Sequence, residues 1–109
     1  MVRLRHVEGD ALTIVRRRSG KGFVFFHANG RRVRDAVTRE RIRALAVPPA
    51  WQDVVIAADP LAHLQAKGVD AAGRVQYIYH PEWEARRTLR KQRHLAALVA
   101  ALPRLRARV

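Results

Sequence analysis

The chain of 109 residues contains no cysteine, which excludes a disulfide framework, a thiolate zinc site and a thiol nucleophile. Long apolar runs are also absent, because the longest, Leu95–Leu102, falls far short of the roughly 18 residues that a membrane span needs. The first 30 residues lack an apolar stretch followed by a small-residue cleavage site, which argues against a signal peptide. We therefore expect a cytoplasmic protein.

Acidic residues are scarce: nine Asp and Glu stand against 22 Lys and Arg, giving a net charge of +13 and a pI of about 11.8. All but three of the basic residues (Lys21, Lys67 and Lys91) are arginine. The arginine side chain is a rigid fork that pairs with phosphate and stacks on bases. This balance predicts a nucleic-acid-binding protein. A ribosomal-type protein, a binder of anionic membranes and a genomic bias towards arginine remain alternatives.

Short segments of high β-propensity alternate with turn signals such as Asn29-Gly30 and Gly68–Gly73. The predicted strands are Leu12–Arg18, Phe23–His27, Asp53–Ala58, His63–Lys67 and Arg74–His80. The segment Met1–Asp10 has no periodicity and is predicted to be a loose start. The pattern predicts an α+β fold, in which a small antiparallel sheet of about five strands carries one or two short helices and is followed by a C-terminal connector helix.

Two helices are expected. Thr38 is a candidate N-cap for a helix over Arg39–Ala46, which Pro48-Pro49 would end. A second helix is predicted to begin at Pro81 and to stop at Pro103. We therefore predict a sheet domain over residues 1–80, with 81–109 forming the connector helix and the start of a further domain.

The second helix carries an apolar stripe at i, i+3, i+4 and i+7: Leu95, Leu98, Val99 and Leu102. The stripe either packs back on the sheet or contacts a second domain, and the pattern alone does not decide between these two arrangements. The five histidines do not have the helical spacing of a metal site, and Ser19 and Thr13 lack a nucleophile motif. The residues give no argument for catalysis or for a cofactor.

The segment 74–80 is the most informative. Strand alternation places Val75, Tyr77 and Tyr79 on one face, and Arg74, Gln76 and Ile78 on the other. Tyrosine suits contact with sugar, base methyl or phosphate groups, and glutamine can pair with adenine in the major groove. An ordinary strand with surface side chains is the other interpretation. The runs Arg16-Arg17-Arg18 and Arg31-Arg32 are either phosphate contacts or solvated turns.

Two blocks resemble the type IB DNA topoisomerases of the bacterial, poxvirus-like kind. Residues 47–56, VPPAWQDVVI, are similar to the block IPPAWxDVWI of that family. Residues 63–81, HLQAKGVDAAGRVQYIYHP, are similar to its block HLQAxGxDxxGRxQYxYHP. Collinear similarity extends over roughly residues 10–109. Positions 69, 75 and 78, often basic in the family, are Val, Val and Ile here, which implies a weaker electrostatic grip along this hairpin.

The resemblance implies a domain that clamps double-stranded DNA together with its own C-terminal catalytic domain. That second domain would supply a nucleophilic tyrosine, which forms a 3′-phosphotyrosyl link while the free strand swivels and supercoils relax, without ATP or a metal. Tyr77 and Tyr79 would then not be the nucleophile, and this chain alone would be inactive. A monomer at the bacterial nucleoid, without membrane contact, is expected. The DNA-contacting residues implied by the resemblance or by basic charge are Arg74, Gln76, Tyr77, Tyr79, Lys67, Arg31 and Arg32.

Two other functions remain open from the sequence. One is an RNA-binding or ribosome-associated basic module, and the other is a protein-interaction module that docks through the apolar stripe.

Overall fold

The computed structural model describes residues 2–107, and an α+β fold with a five-stranded antiparallel sheet confirms the predicted class. The strands follow the order β2-β1-β3-β4-β5. After a short 3-10 turn at Gly9–Ala11, the elements are β1 (Leu12–Ser19), β2 (Gly22–Phe26), α1 (Ala36–Leu45), β3 (Gln52–Ala57), β4 (Leu64–Val69), β5 (Val75–Tyr79) and α2 (Pro81–Ala107). The predicted strands are therefore all present, within a few residues of their expected ends.

One face of the sheet is covered by α1, and we call it the helix face. Ile42 of α1 packs there in one buried cluster with Ile14, Val54, Ile56 and Ala66 from three neighbouring strands. Because successive strand residues point to opposite faces, the side chains next to these lie on the other side of the sheet. We call that side the open face, and a smaller buried cluster of Leu12, Ala57, Ala62 and Leu64 closes only one end of it.

The helix α1 begins three residues earlier than predicted because its N-cap is Asp35 and not Thr38. The carboxylate of Asp35 accepts a hydrogen bond from the backbone N–H of Thr38 at 2.9 Å. Hydrogen bonds from Thr38 also lower the pKa of Asp35 below its usual value. Aspartate is at least as good an N-cap as threonine, so Asp35 was a usable signal that the prediction of Thr38 missed. The helix ends at Leu45, where Ala46 adopts a left-handed conformation with φ of 51°.

The helix α2 begins at Pro81 as predicted, but the predicted stop at Pro103 is wrong, since the helix continues to Ala107. A proline inside a helix removes one hydrogen bond, and the surrounding Ala, Leu and Arg have high helix propensity. The described part of the apolar stripe does not pack on the sheet: Leu95, Leu98 and Val99 are all more than half exposed. None of the helices in the described part of the chain is long and apolar enough to cross a membrane.

The N-terminal segment is not the loose start that its lack of periodicity suggested. The backbone N–H of Arg5 donates to the carbonyl of Leu61 at 2.8 Å, and His63 N–H donates to the carbonyl of Arg5 at 2.9 Å. The ring of Trp83 at the start of α2 lies edge-on to His6 and His63, with centroids 4.9 and 5.0 Å away. These contacts join the N-terminal segment and α2, and they connect residues too far apart in sequence for a periodic pattern to show.

Candidate nucleic-acid interface

The open face carries one row of side chains that crosses all five strands. The pairing register sets Phe26 opposite Val15, Val15 opposite Val55, Val55 opposite Lys67, and Lys67 opposite Tyr77. Val15 and Tyr77 are 38% and 49% exposed, so much of the row is accessible from solvent. The row therefore forms a shallow surface of apolar and aromatic side chains with the ammonium group of Lys67 among them.

Tyrosines and arginines extend this surface on both sides of the row. The rings of Tyr77 and Tyr79 lie 6.4 Å apart, and the guanidinium of Arg87 lies over the Tyr79 ring at 5.4 Å. Near the other edge, the guanidinium of Arg17 lies over the ring of Phe26 at 5.3 Å. A cation held over an aromatic face keeps donors free for an anion, as for Arg17, whereas Arg87 Nη1 already donates to the Oε1 of Glu84 at 3.4 Å. The structure thus brings the predicted residues Lys67, Tyr77 and Tyr79 together and adds Arg17 and Arg87.

Asp70 fixes the other two predicted residues of this hairpin. Its Oδ2 accepts hydrogen bonds from the Nε2 of Gln76 at 2.9 Å and from the Nε of Arg74 at 3.0 Å, while its Oδ1 accepts from the backbone N–H of Ala72 and of Arg74. These bonds, led by those from the Arg74 backbone and the Gln76 amide, lower the pKa of Asp70. Gln76 retains its Oε1 and its second amide hydrogen for other partners.

Gln76 and Arg74 nevertheless lie apart from the tyrosines. Gln76 is two residues from Ile78, which packs against the cluster on the helix face, so alternation places Gln76 on that side of the edge strand β5. Arg74 is exposed in the turn between β4 and β5. The predicted set therefore divides between the open face and the tip of the hairpin.

Arg31 and Arg32 lie at the opposite edge of the sheet. The Asn29-Gly30 turn reverses the chain as predicted, with φ of 83° at Gly30, and Arg32 then forms a β-bridge with Phe26. Four strand spacings of about 4.8 Å separate the β2 and β5 edges, a distance of about 19 Å. A single small ligand could not contact both edges, whereas an extended polymer could.

Comparison with known proteins identifies the family. Residues 22–70 match the family model described as bacterial DNA topoisomerase IB, N-terminal domain. A protein of Acanthamoeba polyphaga mimivirus named DNA topoisomerase 1B is 33% identical over 92 residues, which cover 84% of this chain. The chain belongs to the bacterial DNA topoisomerase IB N-terminal domain family. The similarity spans 27% of the viral protein, so the chain corresponds to about a quarter of that relative.

Neighbouring arginines of β1 point to opposite faces of the sheet in this topoisomerase domain. Arg16 points to the helix face, where its guanidinium donates to the carbonyls of Pro48 at 3.2 Å and Trp51 at 2.7 Å. Burial, helped by the nearby charge of Arg18, lowers the pKa of Arg16. Arg16 therefore holds the loop before β3 against the sheet, while Arg17 points to the open face.

Sequence reasoning named Arg17 only within the run Arg16-Arg17-Arg18, as a phosphate contact or a solvated turn, and did not single out Arg87. Strand alternation within Leu12–Ser19 was a usable signal for Arg17, because it separates Arg17 from Arg16 and groups it with Val15. The sequence offers no comparable signal for Arg87, whose position over Tyr79 depends on the direction in which α2 leaves the sheet. Asp70 lies within the predicted turn Gly68–Gly73, and its carboxylate also holds Gln76.

Proposed function

We propose that this topoisomerase IB N-terminal domain grips duplex DNA through its open face. The observation that carries the proposal is the row in which Lys67 and Tyr77 are directly opposed on β4 and β5, with Tyr79 beside them. The major groove of B-DNA admits a two-stranded β-ribbon, and β4 and β5 form such a ribbon at the edge of the sheet. The tyrosines would meet sugars and base edges, and Lys67 a phosphate.

The charges of the sheet support the same placement. Within the described residues, the ion pairs do not involve Lys67 or Arg17, so the charges of both side chains are available to phosphates. Arg74 and Gln76 at the hairpin tip would add contacts along the same groove. Arg31 and Arg32, which lie beyond β2 and so about 24 Å from β5 across the sheet, would reach the backbone further along the duplex.

The cleavage and resealing of a DNA strand are part of the proposal too. We assign nicking, swivelling and resealing through a 3′-phosphotyrosyl intermediate to a catalytic domain that acts with this one. Tyr77 and Tyr79 serve as groove contacts and not as nucleophiles, and no metal or ATP is assigned a role. Plasmid relaxation by the purified 109-residue chain would contradict this division of labour.

The test is fluorescence anisotropy of a labelled duplex titrated with the chain at several salt concentrations. If the domain neutralises four or five phosphates, log K against log salt has a slope of about −4. Tyr77→Ala should weaken binding, whereas Val37→Ala, which removes an exposed side chain of α1 over the helix face, should not. A slope near zero would refute the proposal, and tighter binding to structured RNA than to the duplex would favour the RNA-binding alternative.

The exposed stripe of α2 supports a second role, contact with the catalytic domain. Leu95, Leu98 and Val99 are 59%, 52% and 62% exposed, and an apolar stripe of this kind marks an interaction surface. We propose that the chain is a monomer and that the catalytic domain, where it is present, covers the stripe. Concentration-dependent self-association in sedimentation velocity, abolished by Leu95→Ser with Leu98→Ser, would instead show that the stripe pairs copies of this chain.

A further inference from the structure

A groove runs between the β1–β2 hairpin and α1 on the helix face, away from the surface assigned to DNA. Its cavity volume is about 540 Å³, within the range of about 300–1,000 Å³ typical of binding clefts. The floor consists of Val33 and Ile42, both buried, and of the half-buried rings of Phe23 and Phe25. An apolar floor of this kind favours a ligand that can bury an apolar group of its own.

The rim of the groove is basic. Four arginines and one glutamate line it, a net charge of +3. Arg39 and Arg43 are one turn apart on α1, and both are exposed. Glu40 pairs with Arg43 at 3.7 Å, but both side chains are more than 70% exposed, and an exposed pair of this length contributes little and is easily exchanged.

The walls of the groove are held in place by contacts already described. Arg16 lies at one end, bound to the carbonyls of the loop that follows α1, and its guanidinium lies 4.1 Å from the centre of the Phe23 ring. The hairpin and the C-terminal end of α1 are thus tied to one another. A preformed groove costs less to occupy than one that a ligand must open.

We propose that this groove binds an acidic segment of a partner protein, one that places an aromatic side chain between carboxylates. Carboxylates pair bidentately with arginine forks, as the exposed Arg39 and Arg43 allow. An aromatic side chain gains most from packing against other rings in a desolvated cleft, which Phe23 and Phe25 provide. Charge alone would equally suit nucleic acid, but a duplex presents phosphates and has no apolar group to cover the floor. Since the groove and the open face lie on opposite sides of the sheet, the two ligands can bind together.

The test uses the full chain and a fluorescein-labelled peptide of Glu and Asp residues around a central Phe-Phe pair. Arg39→Glu with Arg43→Glu should weaken binding by about tenfold or more, because two arginines that pair with peptide carboxylates are replaced by carboxylates that repel them. The matched control is Arg90→Glu with Arg93→Glu, the same charge change on exposed residues of α2. This control should change binding by less than about twofold. Replacing the Phe-Phe pair by Ser-Ser should weaken the wild-type interaction to a similar extent as the groove variant does.

Amide chemical-shift mapping on the unmutated protein removes any dependence on the folding of the variants. The peptide should shift the amides of Phe23, Phe25 and Ala36 and leave those of Lys67 and Tyr77 in place. Equal weakening by both charge-reversed variants, or equal affinity for the Ser-Ser peptide, would overturn the proposal. So would displacement of the peptide by a single-stranded oligonucleotide at lower concentration, which would assign the groove to nucleic acid. Duplex binding by the groove variant is measured in parallel, and its outcome reports only on the open face.

Discussion

Lys67 and Tyr77 are directly opposed across β4 and β5, on the side of the sheet that α1 leaves open. Opposed side chains on one face of an antiparallel pair lie about 5 Å apart, so the ammonium group and the phenol ring form one surface. Two neighbouring side chains enlarge this surface. Val55 on β3 lies opposite Lys67 on its other side, and the ring of Tyr79 lies beside the ring of Tyr77. The register of the strands, and not the proximity of these residues in sequence, creates the proposed DNA-binding surface.

Replacing Lys67 by alanine should reduce the salt dependence of duplex binding. Loss of one phosphate contact changes the slope of log K against log salt by about 0.9, and the affinity falls alike on all duplex sequences. The matched control is Lys91→Ala, which removes the same charge from an exposed position on α2. Both variants are compared with the wild type by anisotropy over a series of salt concentrations. An unchanged slope for Lys67→Ala would show that this ammonium group does not contact a phosphate.

Arg16 should matter for stability, although it carries the same charge as its neighbours. Arg16→Lys retains the charge but not the fork that reaches two carbonyls of the loop before β3, so we expect a loss of about 2 kcal/mol. Arg34→Lys, at an exposed position, should change stability by less than about 0.5 kcal/mol. Urea unfolding followed by far-UV circular dichroism measures both. If the two variants are equally stable, then water replaces the Arg16 guanidinium at these carbonyls without any loss of unfolding free energy.

Much of the fold could be predicted because it depends on local signals. Turn dipeptides such as Asn29-Gly30 and apolar runs such as Val54-Val55-Ile56 identified the strands within a few residues. Predictions were wrong where two nearby residues both suited the same role, or where contacts between residues distant in sequence determined the structure. Asp35 and Thr38 both satisfy the rules for an N-cap, and only the geometry of the helix shows which one is used. The bonds of Arg5 to Leu61 and His63 connect distant parts of the chain and have no periodic signature.

The sequence named candidate DNA-contacting residues but not their arrangement, and their contact with DNA stays a prediction. Family resemblance named Gln76, Tyr77 and Tyr79 together, and alternation already separated Gln76 from the tyrosines. The role of Asp70 in holding the Gln76 amide required side-chain geometry. The position of Arg87 over Tyr79 required the direction of α2. Such relationships depend on packing, which a single sequence does not display.

Gly68 should not tolerate a larger side chain. A Cβ atom there would lie 2.8 Å from the Trp51 ring and 3.1 Å from a methyl group of Val54. We expect Gly68→Ala to destabilise the domain by about 1–3 kcal/mol, the usual cost of overpacking. Gly9→Ala is the control, because a Cβ at Gly9 would meet no atom within 4 Å. A fall in the urea midpoint for Gly68→Ala alone is expected, and unchanged stability would mean that the Trp51 ring moves aside freely.

The Asp70 carboxylate should make the hairpin sensitive to acid. Hydrogen bonds from Arg74 and Gln76 lower the pKa of Asp70 in the folded protein, so the unfolded chain binds a proton more readily. The resulting stabilisation is complete above the ordinary carboxyl pKa of about 4 and is lost as the pH falls through the lower, folded value.

Asp70→Asn should therefore be less stable than the wild type at neutral pH, and the difference should shrink as the pH falls below about 4. Asp35 contributes in the same direction, and because both proteins retain it, the difference between them isolates Asp70. Unfolding free energies from urea titrations over this pH range measure the effect, with Asp10→Asn, at an exposed carboxylate, as control. If the difference in unfolding free energy between the two proteins stays constant with pH, then Asp70 acts through its shape and hydrogen-bond geometry alone. Protonation of the Asp70 carboxylate would in that case not change the stability of the domain.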